Sequence, residues 1–288
     1  MDINLLRSSG VNSYIQCPFK FFLEYVVGLK SLSGKPALKG TIIHQVLQWI
    51  AEFKKTGKQE PSYLSLLDWA WDLYVSRNPH ITMKKTKFKA KIETADYKFC
   101  RKSISKIMDS PYNLFNLNIL ETEKPFKIPM PGKEWNGFCI KGTIDLIHEI
   151  NCDTIEIIDY KTGLNSTKNY YQLIKEIQPR MYHLACSILY PQYKNIIVTF
   201  NYVNDTGPTT FMFTNQQMTA TIEYIWNLYN HIKDAKILKR NRIDTCYRMC
   251  YFGKRSKDKC KCDIMWPDVK NLNANDPETI EYIKRKYE

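Results

Sequence analysis

The sequence predicts an α/β fold: a central mixed β-sheet flanked by helices, with a cysteine-rich C-terminal appendage. Three observations carry that expectation. Short runs rich in β-branched residues read as strands, and two pairs of them are joined by tight polar turns. Longer runs with apolar residues at i, i+3, i+4 and i+7 read as helices. The stretch TCYRMCYFGKRSKDKCKCD, residues 245–263, fits neither pattern and packs four cysteines among basic residues.

The first helix is expected over VNSYIQCPFKFFLEYVVGL, residues 11–29, with Ser8 or Ser9 as its N-cap. Tyr14, Phe21, Phe22 and Tyr25 fall at helical spacing, and Pro18 either breaks the run or starts its second piece. By itself, Cys17 reads as a small buried core residue. Ser31 to Lys39 reads as a loop. A helix from about Thr41 to Lys55 follows, ended by Gly57, with Ile43, Val46, Leu47 and Ile50 as its apolar stripe and His44 beside it. The next helix, Ser62 to Arg77, is rich in Leu and Trp and reads as core. From Met83 to Met108 the chain is strongly basic, with eight Lys/Arg against two acids between Lys84 and Lys102 and Phe88, Tyr97 and Phe99 interleaved. Such a helix is either a phosphate-tracking surface or a solvated face.

Strands are expected at Ile119 to Ile128, Trp135 to Ile150 and Thr154 to Lys161, the last two an antiparallel hairpin across the turn Asn151 to Asp153. Lys168 to Tyr190 is helical in pattern, with Pro179 at a start or kink and Gln178 and Tyr182 four apart on one face. A second hairpin, Asn195 to Asn204 and Thr209 to Thr214, precedes a long helix from Asn215 to Leu238. The tail holds one more helix after Asp276-Pro277 or stays mobile. The implied boundaries are 1–240 for the core, 241–266 for the cysteine-rich region and 267–288 for the tail.

Lys and Arg number 42 against 29 Asp and Glu, a net charge of +13. That excess suits a polyanionic partner, nucleic acid or an anionic membrane surface, or else a solvated basic face. No apolar run approaches the ~18 residues that span a bilayer, and the start MDINLLRSSG lacks a signal-peptide core. A cytoplasmic protein is expected, its thiols reduced, so the nine cysteines argue against a disulfide framework.

The candidate chemistry lies in GTIDLIHEINCDTIEIIDYKTG, residues 142–163. Alternation along a strand puts Asp159 and Lys161 on one face with Ile155 and Ile157, and Glu156, Ile158 and Tyr160 on the other. Glu156 is therefore not expected to join the site. Two acids and a lysine within Ile-rich strands are costly unless they act on something. Phosphodiester hydrolysis needs an activated water, a stabiliser for extra negative charge and help for the leaving oxygen, and carboxylate-held divalent cations can supply all three. Asp145 and Asp159 would be oxygen ligands, with the Tyr160 backbone carbonyl a further one. Lys161 cannot bind a cation and would polarise the attacking water or stabilise the oxyanions. His44 can complete the shell from a neighbouring helix.

At GTIIH (Gly40 to His44), GTIDLI (Gly142 to Ile147), IIDYKTG (Ile157 to Gly163) and QPRMYHL (Gln178 to Leu184), the chain resembles the RecB-like branch of the PD-(D/E)XK nuclease superfamily. That branch carries G-x-x-x-H, G-x-x-D, D-Y-K and Q-x-x-x-Y in this order. Ile144 replaces the superfamily's Pro before the first acid, which is usual in this branch. The resemblance implies a restriction-endonuclease-like core, with Mg²⁺ or Mn²⁺ on His44, Asp145 and Asp159. It implies a catalytic Lys161, and Gln178 and Tyr182 positioning the substrate backbone and the lysine.

The chain also resembles the iron–sulfur members of that branch, the AddB nuclease domain and the CRISPR-associated exonucleases. Their [4Fe–4S] cluster is held by one N-terminal Cys-Pro and three cysteines after the core. Here that implies Cys17, Cys246, Cys250 and Cys262, with Cys260 a substitute for Cys262. The spacing departs from the common form, since nine residues separate Cys250 from Cys260 and one cysteine is surplus. A zinc site on the four C-terminal cysteines, or reduced structural thiols, are the alternatives. Cys100, Cys139, Cys152 and Cys186 read as structural.

The implied function is metal-dependent DNA hydrolysis, most readily by an exonuclease on single strands or duplex ends in recombination, repair or CRISPR adaptation. Eleven Lys/Arg against three acids between Lys233 and Lys261 would form a positive collar for DNA. Without a P-loop signature, any helicase would be a separate partner. The alternative is a non-catalytic nucleic-acid-binding subunit that kept the fold, which intact acids and lysine argue against.

Overall fold

The period-two runs pair into one mixed sheet in the order β1-β3-β4-β5-β6, with β2 also paired to β3. The computed structural model describes residues 4–29, 34–57, 61–81, 95–131, 137–163, 169–235, 238–241, 250–253 and 260–287. Its strands are β1 (Leu5–Leu6), β2 (Asn118–Pro129), β3 (Cys139–Asn151), β4 (Thr154–Lys161), β5 (Asn195–Tyr202) and β6 (Gly207–Phe211). The β3–β4 and β5–β6 pairs are antiparallel hairpins, while β4 and β5 run parallel, joined through helices. Parallel neighbours need such a crossover because no tight turn can reverse the chain twice.

The chain divides into two compact units. One comprises Ser33–Phe126 and Thr143–Phe213. Its helices α3 (Lys35–Thr56), α4 (Tyr63–Ser76) and α5 (Ala95–Met108) bury their apolar stripes together against one sheet face. Ile43, Val46, Leu47 and Ile50 of α3 are fully buried there with Leu66, Leu67, Ile104, Leu146, Ile158 and Tyr160. Helices α6 (Tyr170–Leu173) and α7 (Ile177–Leu189) follow β4, and α7 packs on β5. The strand-face expectation holds: Ile158 and Tyr160 enter the helical core, while Asp159 points to Gln178 and Tyr182 of α7.

The other unit comprises Met1–Leu32, Lys127–Gly142 and Thr214–Glu288. Here β1 runs parallel to the start of β3, pairing Leu5 with Cys139 and Leu6 with Ile140. Helices α1 (Ser8–Gln16) and α2 (Pro18–Phe21), a π-turn (Phe22–Val26), α8 (Asn215–Asp234), α9 (Lys261–Val269) and α10 (Pro277–Tyr287) complete it. Phe138 stacks on Tyr229 at 3.9 Å between centroids, with Trp226 edge-on.

Several boundaries differ from expectation, each for a local reason. Ser8 and Ser9 lie inside α1, whose N-cap is Arg7 with no side-chain cap. Cys17 is extended and interrupts the first helix, so Pro18 starts α2 at a position where its missing N–H costs nothing. Helix α3 begins at Lys35, inside the expected loop, because Pro36 sits in its first turn. The expected single helix Lys168 to Tyr190 is two, and Pro179 falls in the first turn of α7. The basic stretch before Ala95, residues 82–94, lies outside the described residues, as does Cys246. No helix among the described residues is long and apolar enough to cross a membrane.

Candidate active site

The β3–β4 hairpin brings the two acids to the same end of the sheet. Just beyond the registered pair Leu146–Ile158, the strands splay, and Asp145 Oδ2 accepts the Tyr160 backbone N–H at 2.9 Å. That bond replaces a ladder bond and fixes the first carboxylate against β4. Helix α3 supplies His44, whose Nε2 lies 2.7 Å from the Tyr160 carbonyl oxygen and whose Nδ1 lies 3.3 Å from Asp145 Oδ2. Gly40, one turn earlier, lets the helix approach: a Cβ there would meet Thr162 Oγ1 at 3.3 Å.

Asp159 and Lys161 meet α7 on the other side. Lys161 Nζ lies 2.6 Å from Asp159 Oδ2 and donates to Gln178 Oε1 at 2.8 Å, with the Phe200 ring 4.5 Å away. Gln178 Nε2 is 3.0 Å from Asp159 Oδ1 and 2.8 Å from the Tyr182 hydroxyl. That hydroxyl lies 2.8 Å from the Thr143 carbonyl and 3.2 Å from Asp159 Oδ1. The structure thus gathers His44, Asp145, Asp159, Lys161, Gln178 and Tyr182 in one unit. Glu156 stays out: it pairs with His148 at 2.7 Å and takes the Thr199 hydroxyl.

One residue at the site escapes the sequence reading. Glu123 Oε1 lies 3.9 Å from His44 Nδ1. Strand alternation assigns Thr122 and Glu123 to opposite faces, yet both line the same hollow with His44, Asp145 and Tyr160. The cause is a left-handed backbone at Glu123, φ 45°, which breaks the alternation. No signal in the local sequence marks that kink.

Electrostatics record the crowding of acids. Burial pulls His44 down, but the charge and hydrogen bond of Asp145, with Asp159 and the Tyr160 carbonyl, lift it to about 9. Burial would raise Asp145, and His44 instead holds it below the usual carboxylate range. Asp159 is pushed up by burial and by the charge of Asp145, and Glu123 to about 7 by the same two causes. Burial, and then the charge of Asp159, keeps the Tyr182 hydroxyl protonated far above its ordinary range.

A model of the PD-(D/E)XK nuclease superfamily matches residues 8–255. The chain belongs to this superfamily. No curated protein matches. Among solved structures, a candidate exonuclease from Eubacterium rectale is 13% identical, covering 91% of this chain and 92% of its own at a TM-score of 0.52. That likeness shows the shared fold. The protein SSO0001, 12% identical over 90% of this chain and 88% of its own, has a TM-score of 0.36.

Superfamily members use divalent metals, and this donor set fits one: carboxylate oxygens and an imidazole are the ligands hard cations take. His44, Glu123 and Asp145 each offer a ligand atom within 4.8 Å of the others. Asp159 Oδ2 is buried with the Lys161 ammonium 2.6 Å away, which keeps a charged donor beside the acids.

The cysteines gather in the other unit. The extended Cys17 stands between Gln16, whose carbonyl accepts from Asn241 Nδ2 at 2.9 Å, and the turn where Phe19 N–H donates to the Lys239 carbonyl. Arg240 Nη1 in turn lies 3.7 Å from Cys262 Sγ, and Cys262 N–H donates to the Phe252 carbonyl at 2.7 Å. Burial lifts the Cys262 thiol to about 11; Arg240 opposes, and the charges of Cys260 and Cys17 add. Cys260 Sγ is otherwise engaged, lying 3.0 Å from Asp263 Oδ2 and capping α9. Zn–S bonds of ~2.3 Å hold two sulfurs within about 4.6 Å of each other. Among the described residues, Cys250, Cys260 and Cys262 form no three-ligand group that tight.

Proposed function

We propose that this superfamily member is a Mg²⁺- or Mn²⁺-dependent deoxyribonuclease, an exonuclease acting on single strands or duplex ends. One observation carries the reading: Asp145, Asp159 and Lys161 converge with His44 on one side and Gln178 and Tyr182 on the other. In this reading His44, Asp145 and Asp159 hold the ion. When bound, the ion supplies Lewis-acid stabilisation of the phosphoryl oxygens and a more acidic water.

The side chains do the rest. Gln178 ties Lys161 Nζ to Asp159, so the ammonium is aimed beside the acids and not free to wander. There it polarises the attacking water and balances the growing negative charge. Tyr182 braces Asp159 from behind, anchored on the Thr143 carbonyl. The net charge of +13 supports a polyanionic substrate. So does Tyr171, 75% exposed beside Tyr170, which stacks on Phe211; such rings accept bases of any sequence.

The cysteines support a [4Fe–4S] cluster on Cys17, Cys246, Cys250 and Cys262. Cys262, held by Arg240, suits the fourth place better than Cys260, whose sulfur caps a helix.

The test is digestion of end-labelled single- and double-stranded DNA with each metal. Wild type is expected to shorten strands from an end, while Asp159→Asn and Lys161→Ala lose ~10²–10⁴ of the rate. Equal inactivity of all three proteins would refute the enzyme.

A further inference from the structure

We propose that Tyr170 and Tyr171 form a stacking platform for the bases of an unpaired strand, a few nucleotides from the phosphate that is cut. The proposal rests on the nuclease reading above, from which it takes the site at Asp159 and Lys161, and it names unpaired strand as the substrate.

The first argument is where the platform stands. Register puts Asp159 of β4 opposite Phe200 of β5, and Phe200 meets Phe211 of β6 edge to face at 5.5 Å. Lys161 Nζ lies 4.5 Å from the Phe200 ring, and Tyr170 stacks on Phe211 at 5.7 Å with the planes 23° apart. Tyr171 meets Tyr170 edge-on at 5.9 Å. A continuous line of rings thus runs from Lys161 to the surface. Stacked nucleotides rise ~3.4 Å each, so the contacts between Lys161 and the Tyr170 ring span no more than about five of them. A strand lying across Tyr171 reaches the acids within that length.

The second argument is how the two rings are held. Tyr171 is 75% exposed and Tyr170 45% exposed, yet the short helix that carries them is fixed at both ends. Asn169 and Gln172 cap its start reciprocally, each bond 3.0 Å, and Leu173 is buried behind it. Isolated exposed rings are ordinary, but an adjacent pair on a capped helix is a preorganised surface that loses little freedom on binding.

The third argument is what such a surface takes. The chain carries a net charge of +13. A second copy would bring the same charge to the contact, whereas a polyanion is drawn to it. Lys175 is exposed just after the tyrosines, and Arg180 Nε anchors that turn on the Ile174 carbonyl at 3.0 Å, with Glu176 between them. Base faces stack on tyrosine whatever the sequence. In a duplex those faces are already covered by their neighbours, so the platform selects unpaired strand.

Binding of labelled oligothymidylate to the full chain, read by fluorescence anisotropy in chelator at low salt, tests this apart from cleavage. Tyr171→Ala is expected to weaken binding roughly 5- to 150-fold, and Tyr171→Phe to restore it, with melting unchanged in both. Binding to a blunt duplex should fall by less than binding to the single strand. In cleavage, a single abasic position within about five nucleotides of the cut should slow wild type, and Tyr171→Ala should lose that dependence. Wild type that does not bind oligothymidylate, or Tyr171→Ala that binds it equally well, overturns the platform. So does a dimeric wild type that Tyr171→Ala makes monomeric with strand binding intact, which would give the tyrosines to a second copy. A protein that binds through Tyr171 and cuts nothing loses the nuclease reading and keeps the platform; one that cuts regardless of Tyr171 loses only the platform.

Discussion

Single residues here are held by partners on opposite sides of one strand end, and their roles separate accordingly. Tyr182 shows it best. Its buried hydroxyl touches Thr143 O, Gln178 and Asp159 Oδ1, so Tyr182→Phe removes several partners without changing shape. We expect a loss of ~1–3 kcal/mol from the partners left unsatisfied, read by urea unfolding, together with slower cleavage and weaker Mn²⁺ binding, because the hydroxyl braces an acid that would hold the ion. A second residue on α7 sets an acid limit on stability. Burial pulls His183 down to about 4, and its buried Nδ1 has no hydrogen-bond partner. The unfolded chain takes up that proton near 6.5, the folded one only near 4. Stability is therefore lost as pH falls through that window and levels off below it, by up to ~3 kcal/mol. His183→Phe should flatten this part of the profile in denaturant melts at pH 7 and pH 4.5; an unchanged slope would assign it elsewhere. Periodicity put Asp159 and Lys161 on one strand face and Gln178 and Tyr182 on one helix face, while the resemblance of the four ordered motifs joined these pairs to Asp145 and His44 as one site. Glu123 was not legible, because it reaches the site by violating that periodicity.

At the scale of elements, legibility tracked how locally each one is determined. The β3–β4 hairpin could be read residue by residue, since its polar turn and Ile alternation are both local. The start of α3 and the break between α6 and α7 could not, because Pro36 and Pro179 read equally as loop formers or first-turn residues. The packing of α3 on the end of β4 is likewise a tertiary fact, visible in the His44–Tyr160 contact and in the space at Gly40. Adding one methyl there asks Thr162 Oγ1 to move by a few tenths of an ångström, while removing a mid-helix glycine gains ~1 kcal/mol. Gly40→Ala should consequently be close to neutral in thermal unfolding. Gly40→Val, with branches that cannot avoid Thr162, should lower stability by ~1–3 kcal/mol and slow cleavage, because Thr162 is bonded to Lys161. A Gly40→Val protein of wild-type activity would show that close approach is not why glycine stands there.

For the whole molecule, the order of the chain matters as much as its contacts. The unit holding the candidate active site is formed by residues 33–126 and 143–213, between the segments that carry Cys17 and Cys262. A cluster bridging those cysteines would close a loop that contains the entire active unit. By the cross-link estimate, a loop of that length is worth on the order of 5 kcal/mol, drawn from the entropy of the unfolded chain. Anaerobically purified protein should then be brown, absorbing near ~400 nm, and Cys17→Ser or Cys262→Ser should be colourless and melt well below wild type. The far-ultraviolet dichroism of these variants should stay near wild type below their melting points, because the clip acts on the unfolded state. Cys260→Ser should keep its colour, since that sulfur already serves α9. A colourless wild type with stoichiometric zinc would replace the cluster by a zinc site. A wild type with neither metal, melting no higher than its Cys17→Ser variant, would leave the cysteines as ordinary core thiols.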